Sequence, residues 1–408
     1  MNLKRSISKF TFSLREFMPA ITVTSGTLAW FFVFQLNINS IFKSIITDTS
    51  WILTAQFLFY SAGIISAIIG SLISKKINNR RFLLSWIIVG LLSMLSLVFF
   101  GGLAFALIVS VFLGVSFGLG LPTSMAWVAN SVAIDKRGRV AGITILITFI
   151  MAFITLGLYR VIGGGIITLV VLAAVIRSVS CLGFIKTENP IDTKKAKTDF
   201  SKSQLREFSF YIIPWLIFTI SSGLAWNLVP DLPEYTFYIN LGYVVRFILI
   251  AFFGFVWGIV ADRKGRKGPV VIGLVLLGIS YFLLGFVESP YSVLAYLSLA
   301  GVAWGSFFTM YLIIPGDLSI PVEREKFYAI GTILPIVILF SLGMIPENLS
   351  VFFSENAFSQ ILSLLLFLSI IPIIRAKETL PKQEMRRREL EDYTDKLGRV
   401  IQESEEET

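Results

Sequence analysis

Long apolar runs separated by short charged segments constrain this chain more than any other feature. A helix needs roughly 20 apolar residues to cross a ~30 Å hydrocarbon core, where lipid offers the backbone no hydrogen-bond partners. Only 15% of the 408 residues are charged, whereas about 25% is usual for a soluble domain. The pattern predicts an all-α membrane protein with twelve transmembrane helices. The predicted spans are 17–37, 51–74, 82–100, 103–128, 139–159, 161–185, 209–229, 236–259, 269–287, 291–314, 327–345 and 352–374.

The distribution of lysine and arginine predicts how these spans are oriented. With the N-terminus placed in the cytoplasm, 31 of the 35 basic residues fall in inner segments. Only Lys43 and Arg160 fall in outer loops, and Arg177 and Arg246 lie within spans. Because cytoplasmic loops favour basic residues, we expect a multi-pass protein of the cell membrane with both termini cytoplasmic. Attraction to anionic lipid headgroups then explains the net charge of +9 without nucleic-acid binding.

Three pairs of segments repeat in order at offsets of 187 to 196 residues. SGTLAW (25–30) matches SSGLAW (221–226), 70–81 aligns with 258–269, and 114–142 aligns with 301–331. The repeats predict a duplicated six-helix unit with a substrate site between the halves near the bilayer midplane. The predicted parts are an N-terminal half (1–185), a lysine-rich cytoplasmic linker (186–208), a C-terminal half (209–374) and a charged cytoplasmic tail (375–408), interpreted as a solvated extension.

The segment GIVADRKGRK (258–267) resembles the cytoplasmic signature of the major facilitator superfamily. GLGLPTSMAW followed by DKRGRVAG, within 118–142, resembles that family's passage from helix 4 to helix 5. The resemblance covers nearly the whole chain and implies two pseudo-symmetric six-helix bundles that transport by alternating access. In the family, this signature holds the cytoplasmic ends of the two halves together in one state. The resemblance assigns that role to Gly258, Asp262, Arg263, Gly265 and Arg266.

The sequence departs from the family pattern where proton coupling is concerned. Ser74 stands where the first copy of the signature would have aspartate, and Ser110 replaces the arginine that the family links to proton coupling. The chain has no histidine, and no acidic residue lies deep within a predicted span. Because proton coupling normally needs a titratable relay in the membrane, facilitated diffusion, anion exchange or coupling to another cation is favoured over proton symport.

Arg246 is the single residue that points most directly to a substrate. It lies about 15 Å into the eighth span at ~1.5 Å per residue, where a charge is costly and should face a cavity or a partner. Binding of an anionic carboxylate or phosphate is favoured; hydrogen bonding to helix carbonyls or water is the alternative. Arg177, nearer the inner end of the sixth span, is expected to extend its side chain to the surface.

By resemblance, helices 1, 4, 7 and 10 line the central cavity. Trp30 and Trp226 are repeat mates for which core packing and stacking on a substrate are equally good interpretations. Hydroxyl and amide side chains beside them are further candidates, although helix–helix contact explains many such residues. The predicted substrate-binding residues are Arg246, Trp30, Trp226, Thr27, Ser222, Asn227 and Trp304.

The leading hypothesis for function is a secondary active or facilitative transporter of a small solute, with an anion as the favoured class. The alternatives are a membrane-embedded sensor or scaffold that kept a transporter fold and, less favoured, a membrane enzyme acting on lipid. No GxxxxGK[ST] loop is present, so ATP-driven transport within this chain is not expected. We expect no catalytic residues, cofactor or metal site, and a monomer.

Overall fold

The computed structural model describes residues 2–99, 101–163, 165–184, 202–225, 228, 235–286, 289–343, 355–387, 390, 393–394 and 397. Across these ranges the regular elements are helices, and no strand is present. Eleven helices are long and apolar enough to cross a membrane. A twelfth, of 17 residues, is about 26 Å long at ~1.5 Å per residue, which is the short end of the spanning range. The predicted all-α fold with twelve spans is confirmed.

Within its described residues, the first half contains seven helices that form six spans. They are α1 (Asn2–Lys43), α2 (Thr49–Ile73), α3 (Asn79–Phe99), α4 (Leu103–Gly118), α5 (Leu121–Ser131), α6 (Arg137–Ile162) and α7 (Ile166–Leu182). The second half contains α8 (Lys202–Leu224), α9 (Thr236–Lys264), α10 (Lys267–Leu284), α11 (Pro290–Leu318), α12 (Arg324–Tyr328), a π-helical turn (Ala329–Ile333), α13 (Leu334–Leu342), α14 (Glu355–Leu368) and α15 (Ile370–Arg375).

Prolines explain two of the interruptions within spans. Pro335 has no N–H to donate to the carbonyl four residues earlier, and the π-helical turn ends directly before α13, in which Pro335 is the second residue. Pro372 lies in α15 just after the break at Ser369. Between α4 and α5, Gly120 leaves room for the indole of Trp86, whose nearest atom would be 2.3 Å from an added Cβ. Each interrupted pair still acts as one span.

The helix contacts repeat between the halves as the duplicated sequence predicts. In the first half α2 packs on α4 and α1 on α6, and in the second half α9 packs on α11 and α8 on α13. The halves meet chiefly along α6 and α9. Large apolar side chains such as Leu92, Ile108 and Phe252 are exposed on the outside, as a helix bundle surrounded by lipid requires.

α6 and α9 touch backbone to backbone at Gly138 and Gly258. A Cβ added to Gly258 would lie 2.3 Å from the carbonyl oxygen of Gly138, and the reverse distance is also 2.3 Å. No side chain fits between the helices there, so glycine at both positions sets how closely the two halves approach.

We therefore expect Gly258→Ala to destabilise the protein, because the added methyl group forces α6 away from α9. Overpacking of this kind costs about 1–3 kcal/mol. Thermal unfolding of the purified protein in detergent measures the effect. The matched control is Gly268→Ala, where an added Cβ meets nothing within 4 Å. Equal midpoints for the two variants would contradict the proposed packing.

Candidate functional site

A cavity of about 560 Å³ lies between the two halves. Its walls come from α1 and α6 of the first half and from α8, α9, α10, α11 and α13 of the second. Along α6 the lining residues run from Phe149 to Arg160, away from the end of the bundle that carries Arg137. We call the end with Lys75, Arg137, Arg263 and Lys326 the basic end. Arg160, a lining residue in the last turn of α6, is exposed, so the cavity reaches the surface at the opposite end. Its volume falls within the range for small-molecule sites.

Two arginines line the cavity, and no aspartate or glutamate lies among its described lining residues. Arg246 projects from α9 and is half-buried, whereas Arg160, in the last turn of α6, is exposed at the mouth. Within the described residues, no carboxylate forms an ion pair with Arg246. The cavity thus carries uncompensated positive charge, and Coulombic attraction to an anion strengthens where water is excluded.

Hydroxyl groups lie on the same wall as Arg246. The Tyr281 hydroxyl donates a 3.0 Å hydrogen bond to Ser222 Oγ, and the Tyr281 and Tyr296 rings are 6.0 Å apart. All three residues line the cavity together with Arg246. The C-terminal half therefore supplies a cation with hydroxyl groups near it.

Four buried phenylalanines, Phe32, Phe149, Phe308 and Phe340, form what we call the aromatic floor. Their ring centroids are 5.0 Å apart for Phe32 and Phe149, 5.3 Å for Phe32 and Phe308, 5.6 Å for Phe149 and Phe308, and 6.4 Å for Phe32 and Phe340. Trp304 stands 4.8 Å from Phe308. These rings come from both halves and separate the cavity from the basic end.

The predicted substrate-binding residues divide into three groups. Arg246, Ser222 and Trp304 line the cavity. Trp30 and Thr27 are buried in the first half and do not line it. Trp226 and Asn227 lie outside the described residues. The resemblance implied that helix 4 lines the cavity. Neither α4 nor α5, which together form this helix, contributes a lining residue, whereas α6, α9 and α10 do.

Trp30 and Thr27 both contact Arg177. Its side chain is fully buried, and its guanidinium carbon lies 4.2 Å from the Trp86 ring centroid and 5.3 Å from that of Trp30. It donates hydrogen bonds to the Ser116 carbonyl at 3.0 Å and to the Thr27 hydroxyl. The expectation that Arg177 extends to the surface is therefore wrong, because cation–π contacts hold its charge inside the bundle.

Asp262 of the signature joins the halves at the basic end. Its carboxylate accepts hydrogen bonds from the backbone N–H groups of Gly138 (2.7 Å) and Arg139 (2.9 Å) and from Arg139 Nε (3.1 Å). These N–H groups are in the first turn of α6, where a helix leaves donors unpaired and favours negative charge. An acid of the second half thus caps a helix of the first.

Asp317, at the end of α11, is a second bridging acid. Its side chain is fully buried and pairs with Arg137 Nη1 of the first half at 2.7 Å and with Arg266 Nε of the signature at 3.1 Å. The repeat offset of 187 residues places Asn130 opposite Asp317 and Arg324 opposite Arg137. Arg324 indeed donates to the Asn130 side chain. Sequence reasoning missed Asp317, although this offset was the available signal.

The first-half copy of the signature makes a different contact. Ser74 Oγ donates to Glu325 Oε2 at 2.8 Å, and Lys75 pairs with Glu323 at 3.0 Å. The carboxylates absent from the first-half loop are thus supplied by the second half. Burial alone would raise the pKa of Glu323, but hydrogen bonds from Lys326 and Lys75 outweigh it, so this pKa lies below its ordinary value.

The segment after the last helix also belongs to this network. Glu378 accepts hydrogen bonds from the backbone N–H groups of Arg266 (2.7 Å) and Lys267 (3.0 Å), so it caps the start of α10. Thr379 donates to Asp317 at 3.2 Å. Gly265 has φ +96° and leaves room for the Glu378 carboxylate, which would be 2.5 Å from an added Cβ. The start of the tail, which we expected to be solvated, is tied to the bundle.

The five signature residues thus have distinct places. Gly258 forms the α6–α9 contact, Asp262 and Arg266 lie in the ion-pair network, and Gly265 provides the turn. Arg263 is exposed and forms no ion pair with any residue that the structure describes.

Comparison with known proteins supports the fold. No protein-family model matches the chain, and no curated protein matches its sequence. Among solved structures, the human organic anion transporter MFSD10 superposes with a TM-score of 0.66 at 14% identity, over 88% of this chain and 99% of that one. The proton:xylose symporter XylE gives 0.66 at 13% identity, covering 91% and 96%. A bacterial homologue of the iron transporter ferroportin, in its outward-facing state, gives 0.63 at 16%, covering 89% and 98%.

The chain therefore has the fold of major facilitator superfamily transporters. The resemblance inferred from the signature at 258–267 is confirmed at the level of the fold.

We expect Asp262→Asn to loosen the basic end, because an amide cannot match the charge-assisted hydrogen bonds of the carboxylate, each worth about 1.5–3 kcal/mol. The readout is the labelling rate of Thr144→Cys by a small thiol reagent in a Cys181→Ser background. Thr144 is buried on α6 between Arg139 and the aromatic floor. Labelling should accelerate roughly tenfold or more, since 1.4 kcal/mol is a factor of ten.

The matched control is Asp135→Asn. Asp135 pairs with Arg387 at 3.4 Å, and the arginine side chain is 54% exposed, so the ion pair contributes little. Equal labelling rates in the two variants would show that Asp262 does not hold this end closed.

Proposed function

We propose that the protein is a secondary active or facilitative transporter that moves a small organic anion across the cell membrane by alternating access. The observation that carries this proposal is the cavity between the two halves, whose described lining contains two arginines and no acid. The basic end would face the cytoplasm, as the concentration of lysine and arginine there favours.

The charge of the cavity supports an anion as the solute. Arg246 is held in place by close packing of α9 on α11, where a Cβ on Gly301 would be 2.9 Å from the Arg246 carbonyl oxygen. A carboxylate, sulfonate or phosphate would form charge-assisted hydrogen bonds with its guanidinium. The structural neighbour MFSD10 is described as an organic anion transporter, which agrees with this proposal.

The two ends of the bundle support the alternating-access part. The cavity is open at one end, while the aromatic floor and the acids Asp262 and Asp317 close the other. Asp262 contacts the first half, and Asp317 contacts both halves. Release of the solute to the cytoplasm would require these contacts to separate. Gly258, Asp262, Arg263, Gly265 and Arg266 would then form the conformational gate, with Arg263 contacting anionic headgroups rather than protein.

A sensor or scaffold with a transporter fold is the alternative proposal, and a transport assay separates the two. Purified protein in liposomes is screened with radiolabelled organic anions, sugars and amino acids, with and without a proton gradient. Saturable uptake of an anion supports the transporter. Absence of uptake of every class by folded protein would contradict it. Accumulation driven by the proton gradient would contradict the expectation that proton symport is absent.

For the transported anion, we expect Arg246→Ala to lower uptake by roughly 10- to 100-fold, the equivalent of one charged hydrogen bond of about 1.5–3 kcal/mol. Arg246→Lys should recover only part of the loss, because an ammonium lacks the planar fork of donors. Initial rates of exchange measure the effect. The control is Lys43→Ala, which removes an exposed cation outside the cavity. Unchanged uptake in Arg246→Ala would remove this residue from the binding site.

A further inference from the structure

The size of the cavity limits which anions fit it well. At about 560 Å³ it matches the space that a drug-sized molecule occupies. An inorganic ion or a two- or three-carbon acid would leave its apolar walls in contact with water. Burial of apolar surface is favourable in proportion to its area, so the walls favour an anion with a substantial organic body.

The charged and the apolar residues of the cavity lining occupy different regions of the cavity. Arg246, Tyr296 and Ser222 lie on the wall built by the C-terminal half, whereas the aromatic floor lies deeper. The two regions adjoin, because Phe247 follows Arg246 on α9 and its ring centroid is 5.7 Å from that of Phe149. One small molecule can therefore place an anionic group at Arg246 while its body rests on the floor.

The floor favours a flat ring over an aliphatic body. Phe32 meets Phe308 at an interplanar angle of 73° and Phe340 at 67°, so ring edges and ring faces both border the space. Aromatic rings attract one another in edge-to-face and offset arrangements beyond the effect of buried area, by roughly 2- to 10-fold in affinity. An aliphatic ring of similar size lacks this gain.

The positions of the two arginines along the cavity favour an anion that carries a single negative charge. Arg160 lies eleven residues beyond Phe149 on α6, which is about 16 Å at ~1.5 Å per residue. Arg160 is exposed, and salt screens charges in water. No other lysine or arginine lines the described cavity. A compact dianion at Arg246 would leave its second charge without a cation at that depth.

We infer that the cavity binds an aromatic monoanion, with its ring on the aromatic floor and its charged group at Arg246 beside the hydroxyls of Tyr296 and Ser222. This inference rests on the proposed anion transport and narrows it to one substrate class. Arg160 at the mouth attracts the anion on entry, and Phe308 determines the preference for an aromatic ring.

The test is exchange of radiolabelled 2-naphthalenesulfonate in liposomes preloaded with the unlabelled compound. A sulfonate stays ionised at neutral pH, so it does not leak through lipid as a neutral acid. The unlabelled competitors are benzenesulfonate, cyclohexanesulfonate, succinate and phosphate. We expect benzenesulfonate to compete roughly 2- to 10-fold better than cyclohexanesulfonate, and succinate and phosphate to compete least.

Variants test whether the aromatic floor causes the preference for an aromatic ring. Phe308→Leu should bring the ratio of benzenesulfonate to cyclohexanesulfonate close to one, and Arg246→Ala should weaken both compounds equally. Phe153→Leu is the matched control, because Phe153 lines the cavity but lies outside the aromatic floor; it should keep the ratio. If Phe308→Leu fails to fold, Phe149→Leu tests the same surface from the other half.

The outcomes separate this inference from the proposed function. Saturable, Arg246-dependent exchange of succinate or phosphate, with no exchange of the sulfonates, would overturn the aromatic class and leave anion transport standing. Equal competition by the aromatic and alicyclic sulfonates, unaffected by Phe308→Leu, would overturn the role of the floor. Failure of folded protein to exchange any anion would overturn both proposals.

Discussion

The contact between α6 and α9 is the constraint on which the rest of the structure depends. Gly138 and Gly258 let the two backbones touch, and the Asp262 carboxylate accepts hydrogen bonds from N–H groups in the first turn of α6. A side chain at either glycine would separate the helices and draw the carboxylate away from its donors. This crossing joins the halves, contributes to the closed basic end and fixes the position of the cavity walls that α6 and α9 extend toward the opposite end.

Sequence periodicity and charge predicted much of this architecture because they depend on local physics. An apolar run long enough to cross lipid must be a helix, and the excess of basic residues on one side follows from insertion. The repeat indicated two halves, and a charge deep within a span led to Arg246, which lines the cavity. Ser222 and Trp304 also line the cavity, and both lie on helices that the family resemblance placed at the centre.

Contacts between distant parts of the chain were not predictable in the same way. Arg177 appeared close enough to the surface to extend there, but the rings that hold it belong to α1 and α3, whose positions around α7 no local pattern reveals. Glu378 lies in a stretch whose composition resembles a solvated tail, and only the fold brings it to the start of α10. The repeat, which aligns Asp317 with Asn130, was a sequence signal for Asp317. However, an acid at the end of a span resembles an ordinary loop residue.

The duplication has a consequence for how the basic end can separate. The second-half copy keeps both acids, Asp262 and Asp317, whereas the first-half copy has Ser74 and Asn130 at the matching places. Parting α6 from α9 exposes a carboxylate and several N–H groups to water at once, while parting α2 from α12 breaks one hydroxyl contact and a partly hydrated ion pair. Hydration of the two sides would therefore be unequal, so the proposed alternating access would favour a hinge about the α6–α9 side over a symmetric splitting of the bundle.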